Sequence, residues 1–282
     1  MVTIQEFITQ KQTVVRQFTQ QTFTWSAYKQ NQFLMEHADF SRLIHSRQIP
    51  EQLHRDWILE QFKDRDTYYT GFVSAMMWGG INDSRPLKGY TGDLRTTNFY
   101  RALSTPTQRI IDNLDTAKHL IAQNRLKEVF QRYLQEDFKI DGIGESYFTK
   151  LLFFAGYHSG NPIKPLIFDK WTKIMHVWLL LSTNEHDRLF KFYKKSSICQ
   201  NVIQKPGLLT VNRGDEADAY VDYVLRMNQL AQHFGVEVSN LESYLFGLPM
   251  LEARYRLPQY NPRVFMLHQI DAAWKENGFT CY

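Results

Sequence analysis

The chain has 282 residues, 43% of them hydrophobic, which is enough to bury a substantial core as one large domain or two closely packed ones. It has no run of about 18 apolar residues and no basic segment followed by an apolar core in MVTIQEFITQKQ, so the expectation is a soluble, cytoplasmic protein without a membrane partner. A formal charge of +4 permits a polyanionic partner without demanding one, and Cys199 and Cys281, outside any CxxC or Cys/His cluster, are expected to be ordinary thiols.

In chain order the periodicity is mostly helical. Ile4, Phe7, Ile8, Val14, Val15 and Phe18 recur at steps of three, four and seven, predicting an amphipathic helix over 3–20. Helices are expected over 50–62, with Pro50 in the first turn, and over 67–78, ended by Gly79-Gly80. Residues 81–97, INDSRPLKGYTGDLRTT, carry Gly, Pro, Asn and Asp and read as a long loop, either functional or a plain surface excursion. Helices resume over 105–123 and 125–135. Beyond Asp169, KWTKIMHVWLLL reads as a buried helix. A short helix is expected over 184–193, irregular chain over 194–214, and a helix over 215–234 that Gly235 terminates. Ser239-Asn240-Leu241-Glu242 offers an N-cap for SYLFGL, and a tail from Leu251 adds a helix near 264–274. The 20 Phe, 15 Tyr and 6 Trp are core or interface material that could also stack on bases.

The chemistry concentrates in FKIDGIGESYFTKLLFFAGYHSGNPIKPLIFDK, residues 138–170. Gly142-Ile143-Gly144 permits a tight turn, and the helix opened by Glu145 and Ser146 presents free N–H groups to an anion such as a phosphodiester. A plain helix-to-helix turn is the alternative. No strand precedes it, which removes the dinucleotide-binding reading. Gly142-Ile143-Gly144, Phe148-Thr149-Lys150 and Pro165-Leu166-Ile167-Phe168-Asp169 together resemble the helix-hairpin-helix DNA glycosylase superfamily, more narrowly bacterial proteins with the 8-oxoguanine glycosylase fold. NLESYLFGL near Leu241–Leu248 is similar to a closing helix of that group.

The resemblance implies a mainly α fold, two packed helical subdomains with an interdomain cleft. It organises the chain as N-terminal helices 1–60, a core 61–182 with hairpin and aspartate, and C-terminal helices 183–282. It implies a monomeric, nucleoid-associated N-glycosylase acting on double-stranded DNA with a damaged or modified base. Breaking the bond from sugar C1′ to the base leaves positive charge on the sugar, and the matching position makes Asp169 the carboxylate that stabilises it or activates the nucleophile. An N-cap role for Asp169 is compatible with this.

The lyase-type members carry a nucleophilic lysine two positions after the second glycine, where this chain has Ser146. Lys150 lies one helical turn later on the same face, and a related archaeal branch puts its lysine nearer that position. It is either a Schiff-base nucleophile, favoured by desolvation, or a supporting cation. Extruding the target base needs a wedge and a pocket. Trp78, Asn82, Arg85, Asn98 and Phe99, in and around the 81–97 loop, are the candidates. Lys139, Lys164, Lys170 and Lys173, with Gly142, Ile143, Gly144 and Ser146, suit phosphate contacts, solvated helix faces being the alternative for the lysines.

No cofactor is required, but the resemblance implies a structural K+ or Na+ at the carbonyls of Phe138, Ile140 and Ile143. His158, His176, His186 and His268 show no metal-ligand spacing, and two cysteines exclude a four-cysteine iron–sulfur site. Oxidised guanine follows from the nearest named fold. Divergence among the bacterial relatives also admits a different lesion or a hypermodified phage base, and the displaced lysine with the unassigned N-terminal helices motivates a defence role. The alternatives are a non-catalytic nucleic-acid-binding module, supported by Ser146, and an N-glycosidase for nucleosides or nucleotides.

Overall fold

The computed structural model describes residues 2–18, 23–24, 32–86, 88–90, 92–135, 137–246, 257–258 and 261–281. The described residues are mainly α-helical and form two compact units, Met1–Gln20 with Phe168–Tyr282, and Gln21–Ile167. These bounds cut across the expected segments 1–60, 61–182 and 183–282. The reason is helix α1 (Ile4–Gln17), whose Phe7 stacks on Phe265 and meets Trp178 edge-on, tying it to late rather than early sequence. Thr3 starts α1 with a reciprocal capping box to Glu6.

The Gln21–Ile167 unit opens with β1 (Phe23–Thr24), which pairs antiparallel with β2 (Gln52–Leu53). Between them lies α2 (Ala38–His45), which the sequence pattern does not predict. The strand displaces the helix expected from Pro50: α3 (Arg55–Gln61) begins only after the extended His54. Next comes α4 (Tyr68–Trp78), buried from Tyr68 to Met77, and then the 81–97 segment, which contains a 3-10 turn at Leu94–Thr96. Thr97 caps α5 (Asn98–Leu103), a second helix that periodicity does not predict.

Helices α6 (Thr107–Ala122) and α7 (Leu126–Gln135) lie close to their predicted bounds, and α8 (Glu145–Tyr157), which opens at Glu145 as expected, is the last helix of this unit among the described residues. Helix α8 is buried from Phe148 to Gly156. Phe148 stacks on Tyr133 and meets Phe130 edge-on, while Phe154 stacks on Phe62 and meets the Trp78 ring edge-on. Such ring pairs add about 0.5–1.5 kcal/mol each beyond the area they bury, so the helix behind the Gly-x-Gly turn is firmly seated.

In the other unit α9 (Lys170–Ser182) is buried from Thr172 to Leu181, as its apolar run predicts. It is followed by α10 (His186–Phe192) and α11 (Lys195–Ile198), which continues into a π-helical turn Cys199–Gln204, so the 194–214 stretch is less irregular than expected. Helix α12 (Glu216–Phe234) ends at Gly235 in the left-handed conformation, φ 58°. Helix α13 (Val238–Phe246) starts earlier than predicted, placing Ser239 inside it and buried rather than at its cap. Gly247, Leu248 and residues 251–256 of the tail lie outside the described residues. Helix α14 (Pro262–Glu276) starts with Asn261 as N-cap and Pro262 in the first turn.

One expectation is corrected outright, because Cys199 and Cys281 are not free thiols but form a disulfide, with Cα atoms 5.5 Å apart. Phe279 packs edge-on against Phe190 and Trp274, folding the chain end back onto the π-helical turn that carries Cys199. Local spacing cannot reveal a pairing across 82 residues. Among the described residues no helix is long and apolar enough to cross a membrane.

Candidate active site

The Gly-x-Gly turn sits between α7 and α8, and its two glycines have different reasons for being there. Gly142 has φ +75°, and a Cβ on it would lie 2.3 Å from the Asn98 carbonyl oxygen. Only glycine fits that backbone and that gap. Gly144, by contrast, is extended, and a Cβ there would meet nothing within 4 Å. It is the N-cap of α8 but makes no side-chain cap, so the positive end of that helix faces open space.

The turn is fastened from outside as well as within. The Ile143 amide donates to the Ile140 carbonyl, and the Asp141 carboxylate accepts from the Gly142 amide. Asn98 Nδ2 donates to the Gly142 carbonyl at 2.7 Å, and Arg101 grips Asp141 through both Nε and Nη2. Hydrogen bonding from Arg101 holds the Asp141 carboxyl below the usual range. Asn98 therefore latches the hairpin from α5, a role its place beside the 81–97 loop does not suggest. Lys139 is exposed beside the turn.

Ser146 and Lys150 share a face of α8, as one-turn spacing requires. Lys150 is 7% exposed, and its Nζ donates to the Ser146 carbonyl at 2.7 Å and to Ser146 Oγ at 3.2 Å. Its aliphatic stem runs so close to Gly79 that a Cβ there would lie 2.8 Å from Lys150 Cδ. The amine is thus desolvated and held back toward the start of its own helix.

The proposed wedge residues fare unequally. Phe99 is fully buried with its ring edge-on to Phe40, so it is core and is not placed to stack on a base. Trp78 is half-buried against Phe154. Asn82 closes a turn, its side chain donating to the Arg85 carbonyl and accepting from the Arg85 amide. Arg85 itself is exposed. The segment's ends are tied to the hairpin region, since Tyr147 donates to the Gly80 carbonyl and Asn98 to Gly142.

In the other unit Asp169 stands at the N-cap of α9. Its Oδ1 accepts from the Trp171 amide at 2.8 Å and the Thr172 amide at 3.2 Å, while its own amide donates to Thr172 Oγ1. Every hydrogen bond to this carboxylate among the described residues falls on Oδ1, which leaves Oδ2 for other work. Two cations act on it electrostatically. Burial pulls the Arg263 guanidinium down to about 10, an effect Asp169 opposes. Burial also lowers Lys170, as does the positive charge of Arg263, with Asp169 again opposing.

Lys170 is half-buried and donates to the Pro206 carbonyl. Lys173 is 6% exposed, with its ammonium over the Phe168 ring. Lys164, in the hairpin unit, donates to the Tyr157 carbonyl. Arg263 escapes sequence reasoning because nothing in its neighbourhood, NPRVF, marks it as near Asp169.

Among the described residues no group of three His, Cys, Asp or Glu side chains could hold a metal ion. Comparison with curated proteins and with solved structures returned no match. The profile of one family, described as "Putative 8-oxoguanine DNA glycosylase OGG-like protein", matches residues 16–246, a span that includes the hairpin, Lys150 and Asp169. The chain belongs to this 8-oxoguanine DNA glycosylase-like family.

Proposed function

We propose that the protein is a DNA N-glycosylase that binds duplex DNA, turns a damaged or modified base out of the stack and breaks its N-glycosidic bond. The observation that carries this reading is the family match over 16–246, which runs through both helix starts that hold the candidate groups. Oxidised guanine is the first substrate to test, because the family description names 8-oxoguanine.

The chemistry assigned to each group follows from its surroundings. The open start of α8 receives a backbone phosphate on the N–H groups of Gly144 and Ser146, while Gly142 and Ile143, whose amides are engaged within the turn, shape the approach, and Lys139 adds charge beside it. Asp169 Oδ2 faces the cationic charge that grows on the sugar as the C1′–N bond lengthens and its electron pair leaves with the base. In the hydrolytic route water then adds its oxygen to C1′ and gives a proton to the carboxylate, which releases it to solvent as the departing base anion takes one up, so that one water is consumed and the carboxylate is regenerated. Phe138, Ile140 and Ile143 would hold the alkali ion through neutral carbonyl oxygens, a donor set suited to a hard cation. Ile140 already accepts the Ile143 amide and has one lone pair to offer. Such an ion would supply positive charge to the turn that receives the phosphate. Arg85, exposed at the turn that Asn82 closes, is the wedge candidate best placed to enter DNA, with Trp78 as a lesser one.

Lys150 is assigned the role of supporting cation rather than nucleophile, since its amine is occupied by the Ser146 carbonyl and hydroxyl. The same observation gives the second reading its weight. A protein with serine in the lyase position and a tethered Lys150 would also serve as a non-catalytic DNA-binding module.

The test is incubation with duplexes carrying 8-oxoguanine, other oxidised bases or hypermodified phage-type bases. Free base is measured by mass spectrometry, with borohydride trapping in parallel. Release without trapping is expected. Tight duplex binding with no release from any substrate would establish the binding-module reading instead, and release from free nucleosides alone would establish a nucleoside glycosidase.

A further inference from the structure

Arg263 is the most unusual charge in its unit. Asn261 caps α14 by accepting the Arg263 amide, and Pro262 fixes the turn before it, so the backbone carrying this side chain is set. The side chain is 6% exposed. Its Nε donates to the Phe246 carbonyl at 2.8 Å, and its guanidinium lies 4.0 Å from the Trp171 ring centroid and 4.6 Å from that of Phe246. Among the described residues it makes no ion pair, and its two Nη groups donate no hydrogen bond.

Arg226, in the same unit, shows the ordinary solution. It is fork-bonded to Glu185 through both Nη atoms and bonded to Asp222 through Nε. Removing a cation from water is costly unless an anion compensates. Arg263 has the cost without the pair, and its guanidinium is oriented by two rings and one carbonyl with the Nη edge left over.

The chain supplies only part of the missing anion. The Trp171 ring beneath Arg263 belongs to the residue whose amide holds Asp169 Oδ1. Lys170 adjoins it with its ammonium 4.7 Å from the same ring centroid. Two cations, Arg263 and Lys170, therefore act on the Asp169 carboxylate. A planar fork with free N–H groups matches the oxygens of a phosphodiester, which it can bind in bidentate fashion.

We propose that Arg263 binds a phosphate of the DNA strand on which Asp169 acts, holding the reacting sugar in place through the backbone next to it. This rests on the DNA glycosylase reading above and extends it to a binding residue outside the hairpin. Arg263 completes its charge balance only when DNA is bound, and Lys170 shares the same anion. It positions the strand and does not touch the glycosidic bond.

The test measures duplex affinity against salt concentration for wild type, R263Q and R263K, on an uncleavable substrate analogue, with methylphosphonates replacing single phosphates around the target nucleotide. For R263Q the slope of log affinity against log salt should fall by about one, with affinity at low salt falling at least about tenfold. One methylphosphonate that weakens wild type should have no effect on R263Q. R263K should retain the salt slope while losing affinity, because a point charge replaces the fork.

A wild-type slope and an unchanged methylphosphonate profile in R263Q would overturn this proposal alone. A slope lost equally in R263K would mark a packing effect and overturn it as well. Wild-type protein with no salt-dependent duplex affinity would bring down the functional reading and this proposal together.

Discussion

Helix α8 begins at Gly144 with no side chain closing its first turn, whereas α9 begins at Asp169 with its carboxylate accepting two first-turn amides. Both starts carry the partial positive charge of a helix N-terminus. One is left open, and a Cβ at Gly144 would meet nothing within 4 Å. The other is already filled by an anion from the chain itself. An open start can accept a phosphate from a ligand. A closed start instead fixes its own carboxylate in one orientation, with Oδ1 bound and Oδ2 presented. The proposed function thus has the same backbone feature serve binding in one unit and chemistry in the other.

The sharpest way to break the comparison on the α8 side is Lys150. If the amine acts as nucleophile after all, borohydride will trap a covalent DNA complex in wild type, and K150Q will abolish it entirely. The expected result is no trapped complex in wild type and continued base release by K150Q, read on a denaturing gel and by mass spectrometry.

The two glycines give the next largest effect. G142A forces a side chain into a positive-φ position 2.3 Å from the Asn98 carbonyl oxygen, and a loss of about 2–4 kcal/mol is expected in chemical denaturation. G144A should cost at most about 1 kcal/mol, since its Cβ points into open space. Its effect is expected in duplex affinity instead, where a methyl group obstructs the approaching phosphate. Equal destabilisation by both substitutions would end the claim that α8 is open by design.

Much of this division is legible in the sequence. Helices α8, α9 and α12 follow from apolar periodicity bounded by glycine or a capping residue, and Gly142 and Asp169 stand in local patterns whose chemistry is short-range. What is not legible depends on chain segments meeting across long separations. Asn98 reaches the Gly142 carbonyl across 44 residues, so a residue expected to flank a loop is in fact a hairpin latch. Phe99 sits in the core because α5 forms, and α5 is too short to show a helical period. Lys173 and Arg263 reveal their burial only once α9 and α14 are packed. The disulfide joins residues that no spacing rule relates.

The α9 side is tested next by separating the two duties of Asp169. Asparagine is as good an N-cap as aspartate, so D169N should leave stability within a few tenths of a kcal/mol, while D169A should cost about 0.5–2 kcal/mol. Thermal denaturation of both variants checks this. Equal destabilisation would mean that the charge, not the cap, holds the start of α9.

The smallest effect concerns acid stability in the unit that carries Asp169. Hydrogen bonding from Arg226 holds the Glu185 carboxyl at about 2, against an ordinary value of 4.5. Its folded value is depressed, so its contribution is complete above about pH 4.5 and is lost as pH falls toward 2. His176, fully buried, is lowered by desolvation despite its bond to Asp222. It must gain a proton on unfolding below its ordinary 6.5, which also makes acid destabilising. E185Q should flatten the fall of Tm between pH 4.5 and 2 by an amount equivalent to about 1 kcal/mol or less, since the pair is partly solvated. A Tm profile in E185Q as steep as wild type would remove Glu185 from the acid response.

The central claim is that the carboxylate closing α9 is the group that acts on the sugar. It is tested most directly by single-turnover release of 8-oxoguanine from duplex DNA, comparing wild type with D169N at equal, saturating protein. The account predicts stoichiometric base release by wild type and a rate lowered by about 10²–10⁴-fold in a D169N protein that folds and binds DNA normally. Release by D169N at the wild-type rate would contradict it.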